Sequence, residues 1–520
     1  MSESDQNQLS DPSDRLEMNA SSERGERNRG TSALKPAPMH PRQVAASRFC
    51  EQAGRYCTRR RAAAVVTHTA WVGLHHRCSA RSRRHWAACL VPALVILLLV
   101  TPSDVTGASA SSIAIAHGVV DPACAGGGMV ISAPLSWLAG ATSVATTILP
   151  NGTTLVVVSS GYPPASFAEV HAFTRTCAPD SAFGDNGVDR LTFGGRDFSV
   201  AAAIPALGGG TILAGQSTSG WLVARIDASG RLDPAFGKGG WTVLPWPGGA
   251  SAVAQAPSGD IVLGGSVGGG CCVREWVGEL SARGALVRRF GSGGRVRIGV
   301  LEDSGVARVA VEPDGHILAL TGGGNNGCWG VTVAALNASG SPVPSFQRNF
   351  DATMQHALPS EAFVGDLVVR RDDFLLVGTE QENCVTNVLS PTATGRIIAF
   401  QPNGELEASF ASRGEARFSS SMEDPVWALR QQDGGMLIVG MTPVIQAKAR
   451  ARLNLEDISM SGSVDRGYGH DGVGELQLPF LSQSYPASAV PVSVTTNGHV
   501  SVVVSSTADG RGLKLMQFLG

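Results

Sequence analysis

The sequence predicts an all-β protein: a seven-bladed β-propeller of four-stranded antiparallel blades, preceded by a disordered leader and one hydrophobic segment. Three observations predict it. Glycine is abundant, at 64 of 520 residues, while only 16% of residues are charged, which argues against helical bundles and coiled coils. Short apolar runs bounded by Gly, Asp, Asn or Pro follow one another from about residue 118 onward. A motif centred on one aromatic residue returns every ~57 residues, the period of a four-stranded propeller blade.

Taken in chain order, residues 1–80 come first as a basic leader. They are rich in Ser, Asn, Arg and Pro and lack apolar periodicity, so they cannot bury enough surface to offset ordering entropy. The basic stretch Arg81–Trp86 then leads into the apolar run 87–100 and a small, polar stretch to residue 110, the three-part pattern of a secretory signal. About 14 apolar residues are short of the roughly 20 that a membrane-spanning helix needs. Either 81–110 is a cleaved signal peptide and the true start site lies downstream of most of the leader, or 87–100 is an uncleaved signal anchor. Both place the body of the protein outside the cell, secreted or anchored at its surface.

Charge divides the same way. Residues 1–110 hold 15 basic and 9 acidic residues, against 26 and 34 in the remainder, so an acidic body offers no footprint for nucleic acid.

The domain 118–520 is built from repeats. The best copy, SGRLDPAFGKGGW, spans 229–241 around Phe236. Further copies centre on Cys124, Phe183, Phe290, Phe346, Phe410 and Tyr468. After Phe236 come the runs WTVL, SAVAQA, IVLGGSV and EWVGEL, with the turn APSGD between the second and third; no helical period is evident after residue 118. This order predicts that the motif forms the crossing between blades. The terminal run LKLMQFL, 513–519, resembles the strand that precedes each motif, and the first motif lacks a complete one, so the carboxy terminus is expected to complete the first blade and remove an open edge.

At these residues the chain resembles the delta-60 repeat family of bacterial proteins, whose pattern is similar to G-x-L-D-P-x-F-G-x-x-G. Gly230, Leu232, Asp233, Pro234, Phe236, Gly237 and Gly240 match it, and the copies around Phe290, Phe346, Phe410 and Tyr468 depart from it. The resemblance covers about 118–520. It implies an exported, propeller-like array and brings no catalytic residues. Within the motif, Asp suits an Asx-type turn, Pro presets φ, Gly supplies a positive φ and Phe packs between blades.

Candidate chemistry lies elsewhere. The loops read as first hairpins carry Asp197, Glu302 with Asp303, Glu361, and Glu423 with Asp424. Carboxylates at a similar offset in successive blades could converge on a cation such as Ca²⁺, or form a solvated acidic rim. Trp246, Trp276, Trp329 and Trp427 suit blade packing better than sugar stacking, and His316 and His499 occupy matching turns. No zinc-ribbon spacing, nucleophile elbow, metalloprotease motif or P-loop is present, and no cofactor is implied.

Six cysteines lie beyond the leader: Cys124, Cys177, Cys271, Cys272, Cys328 and Cys384. Their even number suits disulfides in an exported protein. Cys124 and Cys177 occupy adjacent copies of one motif region, so a Cys124–Cys177 bridge is expected, with Cys271 or Cys272 bonded to Cys328. The competing pattern joins Cys271 to Cys272 and Cys328 to Cys384. A bridge closing a loop of roughly 55 residues is worth about 4 kcal/mol in the chain-entropy model. The functional expectation is a non-enzymatic scaffold binding an extracellular protein or glycan; the alternative is a secreted hydrolase or lyase using the carboxylates with a divalent cation.

Overall fold

The computed structural model describes residues 121–124, 129–131, 141–160, 167–268, 274–299, 305–323, 330–357, 362–381, 395–418, 423–430, 435–442, 451–478, 492–494, 500–506 and 512–518. The leader, the segment 87–100 and Cys271, Cys272, Cys328 and Cys384 lie outside the described residues. Among the described residues no helix is long and apolar enough to cross a membrane.

The fold is all-β and propeller-like. Its strands form antiparallel meanders of three or four strands. The first meander comprises β2 (Ala141–Ile148), β3 (Thr154–Ser160), β4 (Phe167–Phe173) and β5 (Val188–Thr192). The second comprises β6 (Ser199–Pro205), β7 (Thr211–Ser217), β8 (Gly220–Ile226) and β9 (Trp241–Leu244), and the third β10 (Gly248–Gln255), β11 (Ile261–Val267), β12 (Arg274–Leu280) and β13 (Arg295–Arg297). A three-stranded sheet follows: β14 (Gly305–Val311), β15 (Ile317–Gly323) and β16 (Gly330–Leu336). The next two are β17 (Ala362–Val369), β18 (Phe374–Gln381), β19 (Gly395–Phe400) and β20 (Glu415–Phe418), then β21 (Glu423–Arg430), β22 (Met436–Thr442), β23 (Ala451–Ile458) and β24 (Val473–Leu478).

The last sheet joins the two ends of the described chain. Its order is β1 (Met129–Ile131), β27 (Gly512–Phe518), β26 (Val500–Ser506) and β25 (Val492–Val494), with Met129 opposite Met516. The first strand of each sheet lies beside the first strand of the next, from β2 through to β25, and β25 lies beside β2.

The phase of the repeat differs from the sequence expectation by one strand. WTVL is the fourth strand of its own sheet, paired with β8, and does not open the next one. The motif DPAFGKGG is therefore the connection between third and fourth strands within one sheet. Backbone pairing decides this: Trp241 lies opposite Ala224 and Leu244 opposite Trp221, so β9 spends its hydrogen bonds on β8. Asp197, expected in a first hairpin, lies instead in the connection between β5 and β6, and Glu423 and Asp424 open β21.

Within the motif the Asp-Pro element is a turn. Asp233 Oδ1 accepts the Ala235 N–H at 2.9 Å, and Asp180, Asp121 and Asp465 do the same two residues ahead. The anchors Phe183, Phe236, Phe290, Phe346, Phe410 and Tyr468 are all buried. Each of the first five lies against a glycine in the turn that follows the third strand of the next sheet. A Cβ on Gly230 would stand 2.5 Å from the Phe183 ring, and one on Gly284 2.8 Å from the Phe236 ring. Beside this contact, the residue after the anchor donates its N–H across the interface: Gly184 to Ser229 O, Gly237 to Arg283 O, Gly291 to Ser339 O and Ala411 to Ser461 O, at 2.8–3.0 Å.

One repeat departs from the pattern. After Phe346 the chain forms helix α1 (Pro344–Ala357) in place of the turn and fourth strand, whereas no helix was expected after residue 118. Gln347 stands where Gly184, Gly237, Gly291 and Gly469 hold a positive φ, Gly237 at +53°. Pro344 begins the helix and Phe346, Phe350 and Met354 recur every four residues, so helical pairing replaces the strained turn. The helix keeps the junction: Asn349 Nδ2 donates to Asn403 O at 3.1 Å, and Phe346, Phe350, Phe374 and Phe400 stack with centroids 5.0–5.9 Å apart.

Ala411 is the other exception, holding φ at +43° where Gly184, Gly237, Gly291 and Gly469 stand in their repeats. A side chain in the left-handed region costs about 1–2 kcal/mol, partly offset by the lower unfolded entropy of alanine. Ala411→Gly is expected to stabilise the protein by about 0.5–1 kcal/mol, read as a higher midpoint in reversible denaturant unfolding.

Candidate functional site

Five of the first strands have a local irregularity in the half where the chain enters them. Each of β2, β6, β10 and β14 skips one residue in its pairing, at Thr142, Ala201, Ser251 and Ala307, and β21 skips Asp424 and Pro425. Such bulges bend a strand and turn side chains out of the regular alternation. Ala201, Ser251 and Ala307 are exposed there. The Ser251 hydroxyl donates to Val306 O on the neighbouring first strand at 2.5 Å.

Next to Ala307 stands Arg308. Its Nε donates to Asp366 Oδ1 at 2.7 Å and its Nη2 to Asp366 Oδ2 at 3.1 Å, a bidentate pair linking β14 to β17. The backbone N–H of Ala428 on β21 reaches the same Oδ2 at 3.3 Å, so the Asp366 carboxylate ties three successive first strands together. Asp366 is 6% exposed by side chain, Arg308 46%. The Asp366 charge holds the guanidinium pKa further above its already high value, opposed by burial. The result is a fixed, half-exposed cation midway along β14, beside the bulge at Ala307. It can bind an anionic or hydrogen-bond-accepting group.

Of the sequence candidates, Asp197 lies in the crossing between β5 and β6. Its carboxylate accepts the Thr218 N–H at 3.0 Å and the Thr218 hydroxyl at 2.7 Å, tying that crossing to the β7–β8 hairpin. Glu423 and Asp424 begin β21, with Asp424 at the bulge. Glu302, Asp303 and Glu361 lie outside the described residues. Arg308 and Asp366 were missed, although a signal existed: each is the lone charge inside an otherwise apolar run, GVARVAV and AFVGDLVV.

Other titratable groups lie away from this end. Glu312, Asp314 and His316 place ligand atoms within 4.8 Å of one another in the β14–β15 turn. Both Asp314 oxygens already serve His316, Oδ1 its N–H at 3.0 Å and Oδ2 its Nδ1 at 2.7 Å, which lowers the Asp314 pKa. Trp246 is buried edge-on against Trp221, and the Arg295 guanidinium lies over Trp246 and Trp276, so both tryptophans serve packing. Trp329 lies outside the described residues.

No family model matches the chain, and no curated protein is similar to it. Solved structures are similar at low identity. The polysaccharide lyase Uly1 aligns with a TM-score of 0.38 and 11% identity, covering 72% of this chain and 89% of the lyase. The calcium-binding protein regucalcin from Agrobacterium tumefaciens aligns at 0.30 and 9%, covering 75% and 95%. Prolyl oligopeptidase B from Galerina marginata aligns at 0.36 and 12%, covering 72% of this chain and 47% of the peptidase. At such TM-scores these likenesses carry no argument about activity.

The Arg308–Asp366 pair yields an asymmetric expectation. Arg308→Met leaves the buried Asp366 charge without its guanidinium and costs about 3 kcal/mol. Asp366→Asn leaves a half-exposed guanidinium that water can solvate, and costs less. Denaturant unfolding of the two variants gives this order.

A second expectation concerns Glu279, whose pKa is pushed up to about 7 by burial and then by Asp260, against the opposing charge of Arg289. A carboxyl with a raised folded pKa stabilises the fold most below its ordinary range, near 4.5, and stability declines as pH rises through about 7. Glu279→Gln therefore raises the melting temperature at pH 8, less so at pH 5, and leaves it nearly unchanged below pH 4, which differential scanning calorimetry reads directly.

Proposed function

We propose that this chain is an exported, seven-bladed β-propeller of the delta-60 repeat type that acts as a non-enzymatic binding scaffold. Support for the ring comes from the neighbour relations of the first strands, which run from β2 to β25 and back to β2, and from the pairing of β27 with β1. Support for export comes from the signal-like segment 87–100 and from the disulfide between Cys124 and Cys177.

The observation that carries the binding reading is the fixed guanidinium of Arg308. A bidentate carboxylate behind it removes most of its rotamer freedom, so little ordering entropy is lost when a ligand meets it. It lies on β14 one residue past the bulge at Ala307, and bulges re-aim side chains next to binding sites. The ligand it suits is an extracellular glycan or protein that presents a carboxylate or another acceptor group.

The test uses the full chain expressed with its leader in a bacterial host. Fractionation and amino-terminal sequencing should place the mature protein outside the cytoplasm. Arrays of acidic and neutral polysaccharides and extracellular proteins should show binding to acceptor-rich ligands. Arg308→Gln, still folded at 20 °C, should weaken binding about tenfold or more. Binding indifferent to Arg308, or depolymerisation of a polysaccharide that requires Ca²⁺, would overturn the reading in favour of the hydrolase or lyase alternative. Removing residues 511–520 tests the ring itself: the cooperative thermal transition of the whole domain should be lost, and its retention would refute closure.

A further inference from the structure

The interlock of anchor and glycine recurs at five interfaces, and the disulfide lies at the corresponding positions of another. Cys124 holds the anchor position: its N–H donates to Asp121 O as that of Phe183 does to Asp180 O and that of Phe236 to Asp233 O. Cys177 holds the glycine position: its N–H donates to Thr174 O as that of Gly230 does to Asp227 O and that of Gly284 to Ser281 O. Cys177 also has a positive φ, +59°, at a place where Gly230, Gly284, Gly340, Gly404 and Gly462 have theirs. Its Cα lies 4.8 Å from that of Cys124. The interface so joined is the one between the sheet of β1, β25, β26 and β27 and the first meander, where Cys124 and Cys177 pack with Val156, Val158, Phe173 and Leu515.

We propose that the Cys124–Cys177 disulfide is a covalent replacement for the anchor–glycine interlock, and serves as a redox latch on the seam where the two ends of the described chain share a sheet. The physical need is specific to this seam. Elsewhere the motif is continuous with the third strand before it. Here the motif follows the amino-terminal part of the chain while the third strand, β27, comes from the carboxy-terminal part, and β1 contributes three paired residues. Chain connectivity to the third strand therefore does not hold Cys124 in place; the Asp121 N–H donated to Gln517 O at 2.8 Å and the covalent bond to the first meander do.

Formation of the bond removes two electrons and two protons from the two thiols. They pass to a disulfide of the export compartment, which becomes a dithiol. One cysteine thiolate attacks that disulfide, and the other then displaces the carrier from the mixed disulfide. Reduction is the reverse exchange with a dithiol. Both cysteines are almost wholly buried, at 0% and 1% exposure, so an attacking thiolate reaches them only after the seam opens. Oxidation thus commits the closed seam, and the closed seam shields the bond.

Restoring the repeat's own chemistry tests the equivalence. Full-length Cys124→Ala/Cys177→Ala, Cys124→Phe and Cys124→Phe/Cys177→Gly are compared with the natural protein without reductant, so that the other cysteines keep their state. The double alanine variant should lose several degrees of melting temperature and exchange backbone amides of 121–131 at least tenfold faster. Cys124→Phe alone should be worse still, because a Cβ at 177 meets the ring as one on Gly230 would meet Phe183. Cys124→Phe/Cys177→Gly should recover at least half of both losses. A double alanine variant as stable as the natural protein, or a Phe/Gly pair no better than the alanine pair, would overturn the proposal. If the alanine variant fails to accumulate, accumulation of the Phe/Gly variant supports the equivalence and its failure too refutes it. Alkylation of natural protein in rising dithiothreitol adds a second reading: the rate of reduction should level off at the rate of seam opening, and a rate that stays proportional to reductant would refute the shielding.

Discussion

Sheet-to-sheet contact through a single aromatic side chain under a glycine is the constraint on which the rest of this structure depends. An antiparallel meander of three or four strands has two faces to cover and cannot do so alone. The anchor ring fills the space where one sheet diverges from the next, and the glycine opposite leaves room for it. The N–H donated beside it, from Gly184, Gly237, Gly291 or Ala411, sets the height at which the two sheets meet. Flanking clusters then bury the facing strands, as Leu213, Leu222 and Ala224 do against Leu155, Val157 and Val170.

That constraint explains the tolerance of the repeat. Asp and Pro shape a turn that other residues can make: Glu407 replaces Asp and still accepts the Ser409 N–H at 3.0 Å. The helix at Phe346 replaces the turn altogether, yet the aromatic contact and a bond across the junction survive it. The disulfide joining Cys124 and Cys177 occupies the same two positions with different chemistry. What persists across these repeats is the junction between neighbouring sheets, whatever the local backbone solution.

The opposite end of the sheets is under a different constraint. First strands crowd one another, and β2, β6, β10, β14 and β21 each skip a pairing there, whereas β17 pairs with β18 without a break. At β14 and β17 the crowding brings an arginine and an aspartate into bidentate contact, anchored further by the Ala428 N–H. A pair of this kind adds little net stability, since desolvation offsets attraction, but it fixes direction. A cation held in one direction beside the bulge at Ala307 is what distinguishes this part of the first strands.

Much of this was legible in the sequence because repetition averages out local ambiguity. The period, the strand lengths, the all-β class and the packing role of Phe183, Phe236 and their counterparts follow from residue types that recur at one spacing. The phase did not follow, since a run such as WTVL pairs equally well with the strand before it or after it until backbone geometry chooses. The helix after Phe346 carried a readable signal in Phe346, Phe350 and Met354, which the strand period of the flanking repeats obscured. The role of Asp197 was beyond the sequence, because its partner Thr218 lies across a crossing and a hairpin. So was the union of Arg308 with Asp366, 58 residues apart. Local chemistry and periodicity determine which elements form, whereas contacts between residues distant in the chain depend on how the sheets are stacked, and only the tertiary structure decides that.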